Sequence, residues 1–206
     1  MMKYKILPPL YFISLTVLMA QVVEYRDEGG RLKATGSMAE GVKAGRWLYY
    51  YPGGAVSAEE HFQEGQLHGL ITYYYENGTV QGREQWQQGS LQDSAWYFYA
   101  NGNCERKGVY KQGQYAGTWL YYFEQGGLER SVSYRDGLPD GPTELFGANG
   151  KLLQSGQYRQ GQEHGTWKFF NENGALKYYG NYNMGEPTGT WFKIAKGKEK
   201  VYKKYE

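Results

Sequence analysis

Three histidines and one cysteine are the side chains of this chain that acid–base, metal-binding or nucleophilic chemistry would call on. His68 and His164 hold equivalent positions in a 24-residue repeat, four repeats apart. In an open sheet, eight strands at ~4.8 Å spacing would separate them by roughly 38 Å, which is too far for one shared metal ion. We expect both to be polar loop residues. We expect His61 to be a solvated side chain and not an acid or base.

Cys104 is a candidate nucleophile, but it stands where other repeats carry valine or leucine, so we expect a small buried apolar residue. A lone cysteine forms no intramolecular disulfide. The spacing Gly-x-x-x-Gly, as at Gly41 and Gly45, also occurs in phosphate-binding loops, but no strand-to-helix transition or Gly-Lys-Ser/Thr sequence follows it. The sequence therefore predicts no catalytic residue, no cofactor-binding residue, no metal site and no enzyme.

The composition favours strands and turns over helices. The 206 residues include 30 glycines, 22 tyrosines, 8 phenylalanines and 6 tryptophans, and such residues are typical of strands and of turns. The net charge is +2, but lysines crowd the last fourteen residues, and the main body of the chain is slightly acidic. We therefore expect an all-β fold and no nucleic-acid partner.

A repeat of 24 residues organises most of the chain. Counting its first glycine as position zero, glycine recurs at position 4, except at Asp93, and at position 13 in six repeats. Position 21 is aromatic in six repeats. The unbroken phase predicts equivalent structural units. The seven glycines at position zero are Gly41, Gly65, Gly89, Gly113, Gly137, Gly161 and Gly185.

Each repeat is predicted to be a β-hairpin. A first strand such as Trp47 to Tyr51 leads to positions 12 and 13, which are Asn-Gly at Asn77 and Gly78 and in three further repeats. Asn-Gly between strands favours a type I′ turn, in which both central residues have positive φ. Position 10 then faces 15, position 8 faces 17 and position 6 faces 19, with a loop between repeats. The predicted fold is all-β, an elongated single-layer antiparallel meander of tandem hairpins.

Alternation along the strands sorts the side chains onto two faces. One face collects the aromatic residues of positions 6, 8 and 10, with the aliphatic residues and Cys104 of position 15 opposite them. The other face is predicted to be polar except for an apolar, mainly aromatic stripe at position 9. Because a single-layer sheet has no second layer to cover its apolar face, we expect a binding surface there. Its residues are Trp47, Tyr49, Tyr51, Tyr73, Tyr75, Tyr97, Tyr99, Trp119, Tyr121 and Phe123.

The pattern Gly-x-x-x-Gly-x-Trp-x-Tyr-Tyr-Tyr-x-x-Gly at residues 41–54 resembles the MORN repeat in its bacterial variant, and the resemblance covers about residues 25–205. It implies a twisted meander of hairpins and no activity. Proteins similar to this one are often labelled antitoxin-like, and eukaryotic relatives are discussed as membrane-tethering or scaffold modules. The third repeat departs through Asp93 and the displaced Trp96, and the fifth through Thr143. These two repeats are predicted to be hinges or specialised contact sites.

The N-terminus is typical of a targeting segment. Two lysines precede an apolar run that ends at Ala20 and is short for a transmembrane helix. A secretory signal peptide is the favoured interpretation, with export to the periplasm or outside the cell. An uncleaved membrane anchor is the alternative, since Leu18 occupies a position where signal peptidase sites prefer a small residue. The predicted segments are the signal peptide at 1–20, a partial repeat at 21–40, the array at 41–192 and a lysine-rich capping hairpin at 193–206.

Three functional hypotheses follow from the sequence. The first is an exported, non-enzymatic repeat protein that binds a protein partner or a cell-envelope component through its aromatic surface. The second is an antitoxin or immunity protein that neutralises a partner toxin. The third is a module that attaches to membrane lipid through the lysines of residues 193–206.

Overall fold

The computed structural model describes residues 20–206, which form one open antiparallel sheet of 17 strands and contain no helix. The predicted all-β meander of hairpins is confirmed. The predicted signal peptide lies outside the described residues, apart from Ala20. The strands are β1 (Gln21–Arg26), β2 (Leu32–Ala39), β3 (Val42–Tyr50), β4 (Val56–Gln63), β5 (Gln66–Leu67), β6 (Gly69–Tyr74), β7 (Val80–Gln87), β8 (Ser90–Phe98), β9 (Cys104–Lys111), β10 (Gln114–Tyr122), β11 (Leu128–Arg135), β12 (Leu138–Phe146), β13 (Leu152–Arg159), β14 (Gln162–Phe170), β15 (Leu176–Asn183), β16 (Glu186–Ala195) and β17 (Lys198–Tyr205).

Successive strands pair along the whole sheet, so the chain is a continuous meander. β4 pairs with both β5 and β6, which His68 separates, and β6 pairs with β7. The sheet ends at β1 and β17. β17 carries four lysines, and charged side chains on an edge strand oppose pairing with another chain.

The tightest turns lie at the glycines that define the repeat. Gln88 and Gly89 have φ of 48° and 73°, and the same pair of positive φ values recurs at all seven glycines of position zero. Two successive residues with positive φ are the mark of a type I′ turn. These turns join each repeat to the next, where a loop was predicted. The loop prediction for His164 is also wrong, because this residue lies within β14.

The Asn-Gly turns differ from the predicted type I′ geometry. At Asn77 and Gly78 only the glycine has positive φ. The Tyr75 amide donates to the Thr79 carbonyl at 2.8 Å, and the Gly78 amide donates to the Tyr75 carbonyl at 2.9 Å. This pattern is that of a three-residue loop with a glycine bulge. The additional loop residue shifts the register, so Tyr74 at position 9, and not position 10, faces position 15. A bulge at position 16, between the pairs Tyr74–Val80 and Tyr73–Gly82, restores the predicted register beyond it.

Another bulge interrupts the first strand of each repeat near position 4. In the pairing of β10 with β9, Ala116 faces Val109 but Leu120 faces Lys107, so β10 holds two additional residues. Gly117 lies in this bulge with φ of 62°, a conformation that favours glycine. Position 6 follows the bulge directly, and the core of the sheet lies there.

Candidate functional site

The buried side chains lie at position 6 on one face of the sheet, which we call the tryptophan face. The direct pairs of positions 6 with 19, 8 with 17 and 2 with 21 place these six positions on it. Aromatic residues and aliphatic residues from several of them surround Trp119. The residues of position 6 are all buried: Trp47, Ile71, Ala95, Trp119, Thr143, Trp167 and Trp191.

Each tryptophan of position 6 packs on a glycine of the preceding strand. A Cβ atom on Gly108 would come closer than 3.0 Å to the Trp119 ring, so only a hydrogen leaves room for the indole. The Trp119 Nε1 donates to the Val109 carbonyl at 3.0 Å and fixes the ring on the strand. A tryptophan can therefore be fully buried in a single-layer sheet, because it lies flat on backbone. The four pairs are Gly36 with Trp47, Gly108 with Trp119, Gly156 with Trp167, and Gly180 with Trp191.

The glycine occurs only where the tryptophan does. The other three residues of position 6, Ile71, Ala95 and Thr143, follow Glu60, Glu84 and Val132 at the place of the glycine. In every glycine–tryptophan pair the two residues are 11 positions apart. The sequence interpretation missed these pairs, and this spacing is the signal that could have found them.

The ten residues of the predicted binding surface fall into three environments. Trp47 and Trp119 have no exposed surface, so they stabilise the sheet and offer no contact to a partner. The position 8 tyrosines lie half-buried on the tryptophan face, and the position 10 residues lie half-buried in the turns. The first set is Tyr49, Tyr73, Tyr97 and Tyr121, and the second is Tyr51, Tyr75, Tyr99 and Phe123.

The position 10 tyrosines connect adjacent repeats. The Tyr75 hydroxyl donates to the Phe98 carbonyl at 2.8 Å. Tyr51 and Tyr99 make the same bond, also at 2.8 Å, to the corresponding carbonyl of the next repeat. Phe123 has no hydroxyl, so this series of bonds ends in the fourth repeat. These hydrogen bonds link the turns of neighbouring repeats along one side of the sheet and contribute to its stability.

At position 8, the Tyr97 hydroxyl is a hydrogen-bond donor and not a base. The Tyr97 hydroxyl donates to Glu84 Oε1 at 2.5 Å, and burial, followed by this bond, raises the pKa of Tyr97 far above its ordinary value. Burial also raises the pKa of Tyr110 to about 12. The Arg106 guanidinium lies 4.1 Å from the centre of the Tyr97 ring. Phenols with raised pKa values stay protonated at neutral pH. These side chains therefore contribute packing and hydrogen bonds to the sheet, and they do not supply a base.

Position 15 lies on the face opposite the predicted one. Because the turn bulge shifts the register, Tyr50 pairs directly with Val56, and Phe98 pairs with Cys104. Directly paired residues of antiparallel strands share a face. The residues of positions 9 and 15 are therefore combined into one surface, which we call the apolar stripe. Its pairs are Tyr50 with Val56, Tyr74 with Val80, Phe98 with Cys104, Tyr122 with Leu128, Phe146 with Leu152, and Phe170 with Leu176.

The stripe is partly accessible along its whole length, since all twelve side chains are half-buried. Cys104, predicted to be buried, shares this environment. Burial raises the pKa of its thiol, which opposes formation of the reactive thiolate.

The three histidines do not form a metal site within residues 20–206. His61 Nε2 lies 3.4 Å from a Glu59 carboxylate oxygen, and its side chain is 43% exposed. The His68 amide donates to the His61 carbonyl at 2.8 Å, a backbone bond that uses neither ring. Residues 20–206 contain no group of three histidine, cysteine or acidic side chains placed to hold a metal ion. Within the same residues, no helix is long and apolar enough to cross a membrane.

A family described as the MORN repeat variant matches residues 67–88 and 163–184. Both segments run from position 2 to position 23 of their repeats, the second and the sixth, so the match has the period read from the glycines. No curated protein matches the chain. The protein is thus a β-sheet repeat protein with two segments that match the MORN repeat variant.

Proposed function

We propose that this is a non-enzymatic binding protein whose apolar stripe holds a protein partner or a component of the cell envelope. One observation supports it above the others: the stripe crosses six consecutive repeats without interruption, and none of its side chains is fully buried. Contiguous apolar surface that stays accessible is typical of interaction sites.

The tryptophan face is a weaker candidate for the same role. Its largest rings are buried at position 6, and several of its tyrosine hydroxyls already have partners. Lys43 donates to the Tyr49 hydroxyl at 2.6 Å, and the Tyr121 and Tyr134 hydroxyls lie 3.3 Å apart. A partner on this face would meet hydroxyls that are already bonded, whereas the stripe consists of aromatic rings, aliphatic side chains and one cysteine. We therefore favour the apolar stripe over the position 8 tyrosines as the binding surface.

The proposal includes export. The apolar segment before Ala20 is typical of a signal peptide, and a chain that leaves the cytosol would meet its protein partner or envelope component there. The N-terminal residue of the protein recovered from the producing cell tests this part. Cleavage near Ala20 supports it, and an intact Met1 on cytosolic protein contradicts it.

The stripe is tested with two arginine variants on one strand. Tyr122→Arg places a charge in the stripe, and Thr118→Arg places the same charge on the same face of β10, outside the stripe, where residue 118 is exposed. Immobilised wild-type protein and both variants are incubated with envelope extract, and the captured material is quantified. We expect Tyr122→Arg to lose the captured species and Thr118→Arg to retain it, with thermal melts showing that both fold. Equal capture by the two variants would exclude the stripe.

A further inference from the structure

A cavity on the stripe face of the third repeat lies beside an exposed tryptophan. Its volume is about 450 Å³, and its wall includes Arg83, Gln85, Asp93, Ser94 and Trp96, which is within the ~300–1,000 Å³ typical of ligand pockets. Trp96 is 41% exposed, whereas the position 6 tryptophans are at most 4% exposed. The indole therefore forms an accessible wall and not part of the core.

Three departures from the repeat coincide at this cavity. Position 6 holds Ala95, so the core tryptophan is missing, and Trp96 at position 7 lies on the opposite face. Asp93 has φ of 60° at a position where the other six repeats have glycine. Aspartate tolerates this conformation better than most residues, but glycine adopts it with less strain. Departures that reduce stability and cluster at one cavity are expected at functional sites.

The indole is held from one side and open on the other. Trp96 pairs with Lys107 on β9 and with Arg83 on β7. The Lys107 Nζ lies 4.8 Å from the centre of the Trp96 ring, and Lys107 does not line the cavity. Arg83 does line it, is exposed, and takes part in none of the ion pairs found in residues 20–206. The cavity thus offers a flat apolar wall with an unpaired hydrogen-bond donor at its rim.

We propose that this cavity binds a neutral saccharide, whose C–H face stacks on Trp96 while its hydroxyls bond to the rim. Sugar hydroxyls both donate and accept, and the rim supplies an acceptor in Asp93, a donor in Arg83, and groups of both kinds in Gln85. The Ser94 hydroxyl donates to Asp93 Oδ1 at 3.1 Å and can accept a further bond. Arg83 and Asp93 give the rim one charge of each sign, so the cavity favours neither an anionic nor a cationic ligand. This inference rests on the proposed binding function, because Phe98 belongs to both the cavity and the stripe.

An extended peptide is a poorer fit to the same cavity. Peptides that add to a sheet need a strand with free backbone groups, and β8 is paired with β7 on one side and β9 on the other. A peptide would have to bind through side chains alone. A saccharide needs no backbone partner, since its ring stacks and its hydroxyls reach the rim.

The test uses purified protein with chitotriose, cellotriose and maltotriose, measured by saturation-transfer NMR and calorimetry. We expect at least one trisaccharide to bind and to receive saturation chiefly at its C–H protons. Trp96→Ala should weaken binding at least ~10-fold, which is ~1.4 kcal/mol. Asp93→Gly, which restores the residue of the other repeats, should also weaken binding without lowering the melting temperature. Lys168→Ala, at the same repeat position as Trp96 and also exposed, should leave binding unchanged.

Three results would overturn the saccharide site: no binding of any of the three sugars, equal binding by Trp96→Ala, or tighter binding of trigalacturonic acid or an acidic peptide than of every neutral sugar. These measurements need no envelope extract, so they are separate from the capture experiment. If Tyr122→Arg loses capture but still binds the trisaccharide, the stripe and the cavity are distinct sites. If capture fails for the wild type while the sugar binds, only the function of the stripe is rejected.

Discussion

Replacing Gly108 by alanine should destabilise the sheet strongly, because the new Cβ cannot coexist with the Trp119 ring. The ring is fully buried, and the Cβ would approach it closer than 3.0 Å. Overpacking of this kind costs ~1–3 kcal/mol, and displacing the ring also breaks the indole bond to Val109 at 3.0 Å, worth ~1 kcal/mol. We expect a loss of ~3 kcal/mol, which corresponds to ~6–12 °C in melting temperature for a protein of this size.

Urea titration followed by tryptophan fluorescence measures the effect, with Gly53→Ala as the matched control. Gly53 has no positive φ, and a Cβ atom on this residue would have a Glu76 carboxylate oxygen as its nearest neighbour, at 3.5 Å, so this change should stay within ~0.5 kcal/mol. Trp119→Ala alone should cost ~3–5 kcal/mol. Adding Gly108→Ala to it should cost little more, since the ring is gone, and the double-mutant cycle should give a coupling of ~3 kcal/mol. If Gly108→Ala is as stable as Gly53→Ala, the packing argument is refuted.

Three further predictions concern the array. Tyr75→Phe removes the hydroxyl that donates at 2.8 Å to the next repeat and should cost ~1 kcal/mol, read from the urea midpoint. Burial raises the pKa of Tyr110 from 10.0 to about 12, so its contribution to stability is full below pH ~10 and is lost as the pH rises toward 12; phenolate absorbance and circular dichroism should change together. Deleting residues 161–184 removes one repeat and should leave a folded, shorter protein, whereas deleting 89–112 should be less stable and deleting 89–100 should be the least stable, as thermal melts will show.

The sequence was sufficient for the period, the meander and much of the face assignment. The 24-residue phase of the glycines located the units, and the pairs of positions 6 with 19 and 8 with 17 are as predicted, for example Trp47 with Glu60 and Tyr49 with Ala58. Those positions lie in the middle of the strands, between the bulge at position 16 and the bulge near position 4. Alternation with a period of two is reliable there because nothing interrupts it.

The predicted face of position 15 was wrong, because one additional residue in the Asn-Gly turn changes the register of the strands next to it. Asn-Gly is compatible both with a two-residue type I′ turn and with a three-residue loop that ends in a bulge glycine. At Asn77 the second geometry occurs, and the Asn77 side chain accepts a bond from the Thr79 amide at 3.0 Å. The additional residue moves Val80 and its equivalents to the other face. A slip of one residue reverses the face of a side chain, so position 15 was assigned wrongly in the first six repeats.

The type I′ turns were missed for a different reason. In six of the seven turns the first residue is glutamate, glutamine or methionine, as at Glu64 and Met184, and these residues do not indicate positive φ by themselves. Asp136 and Gly137 form the one Asp-Gly pair, which does favour a type I′ turn. The conformation is set by the two strands that meet there, since a type I′ turn matches their twist. The pairing of the two strands thus overrides the conformational preference of the turn residues. The sequence of a single turn does not reveal this effect.

Pairing between neighbours makes the repeats unequal, although their backbones are alike. A tryptophan at position 6 requires glycine on the preceding strand, so deleting 161–184 brings Trp191 to Gly156 and keeps a compatible pair. Deleting 89–112 instead brings Trp119 to Glu84, where a carboxylate occupies the space of the indole. Both deletions preserve the phase, so hairpin stacking alone predicts equal stability, and only the neighbour contact distinguishes them. The same contact explains why the third repeat is free to differ: with Glu84 before it, position 6 cannot hold a tryptophan on this face, and Trp96 projects instead from the face that carries the cavity.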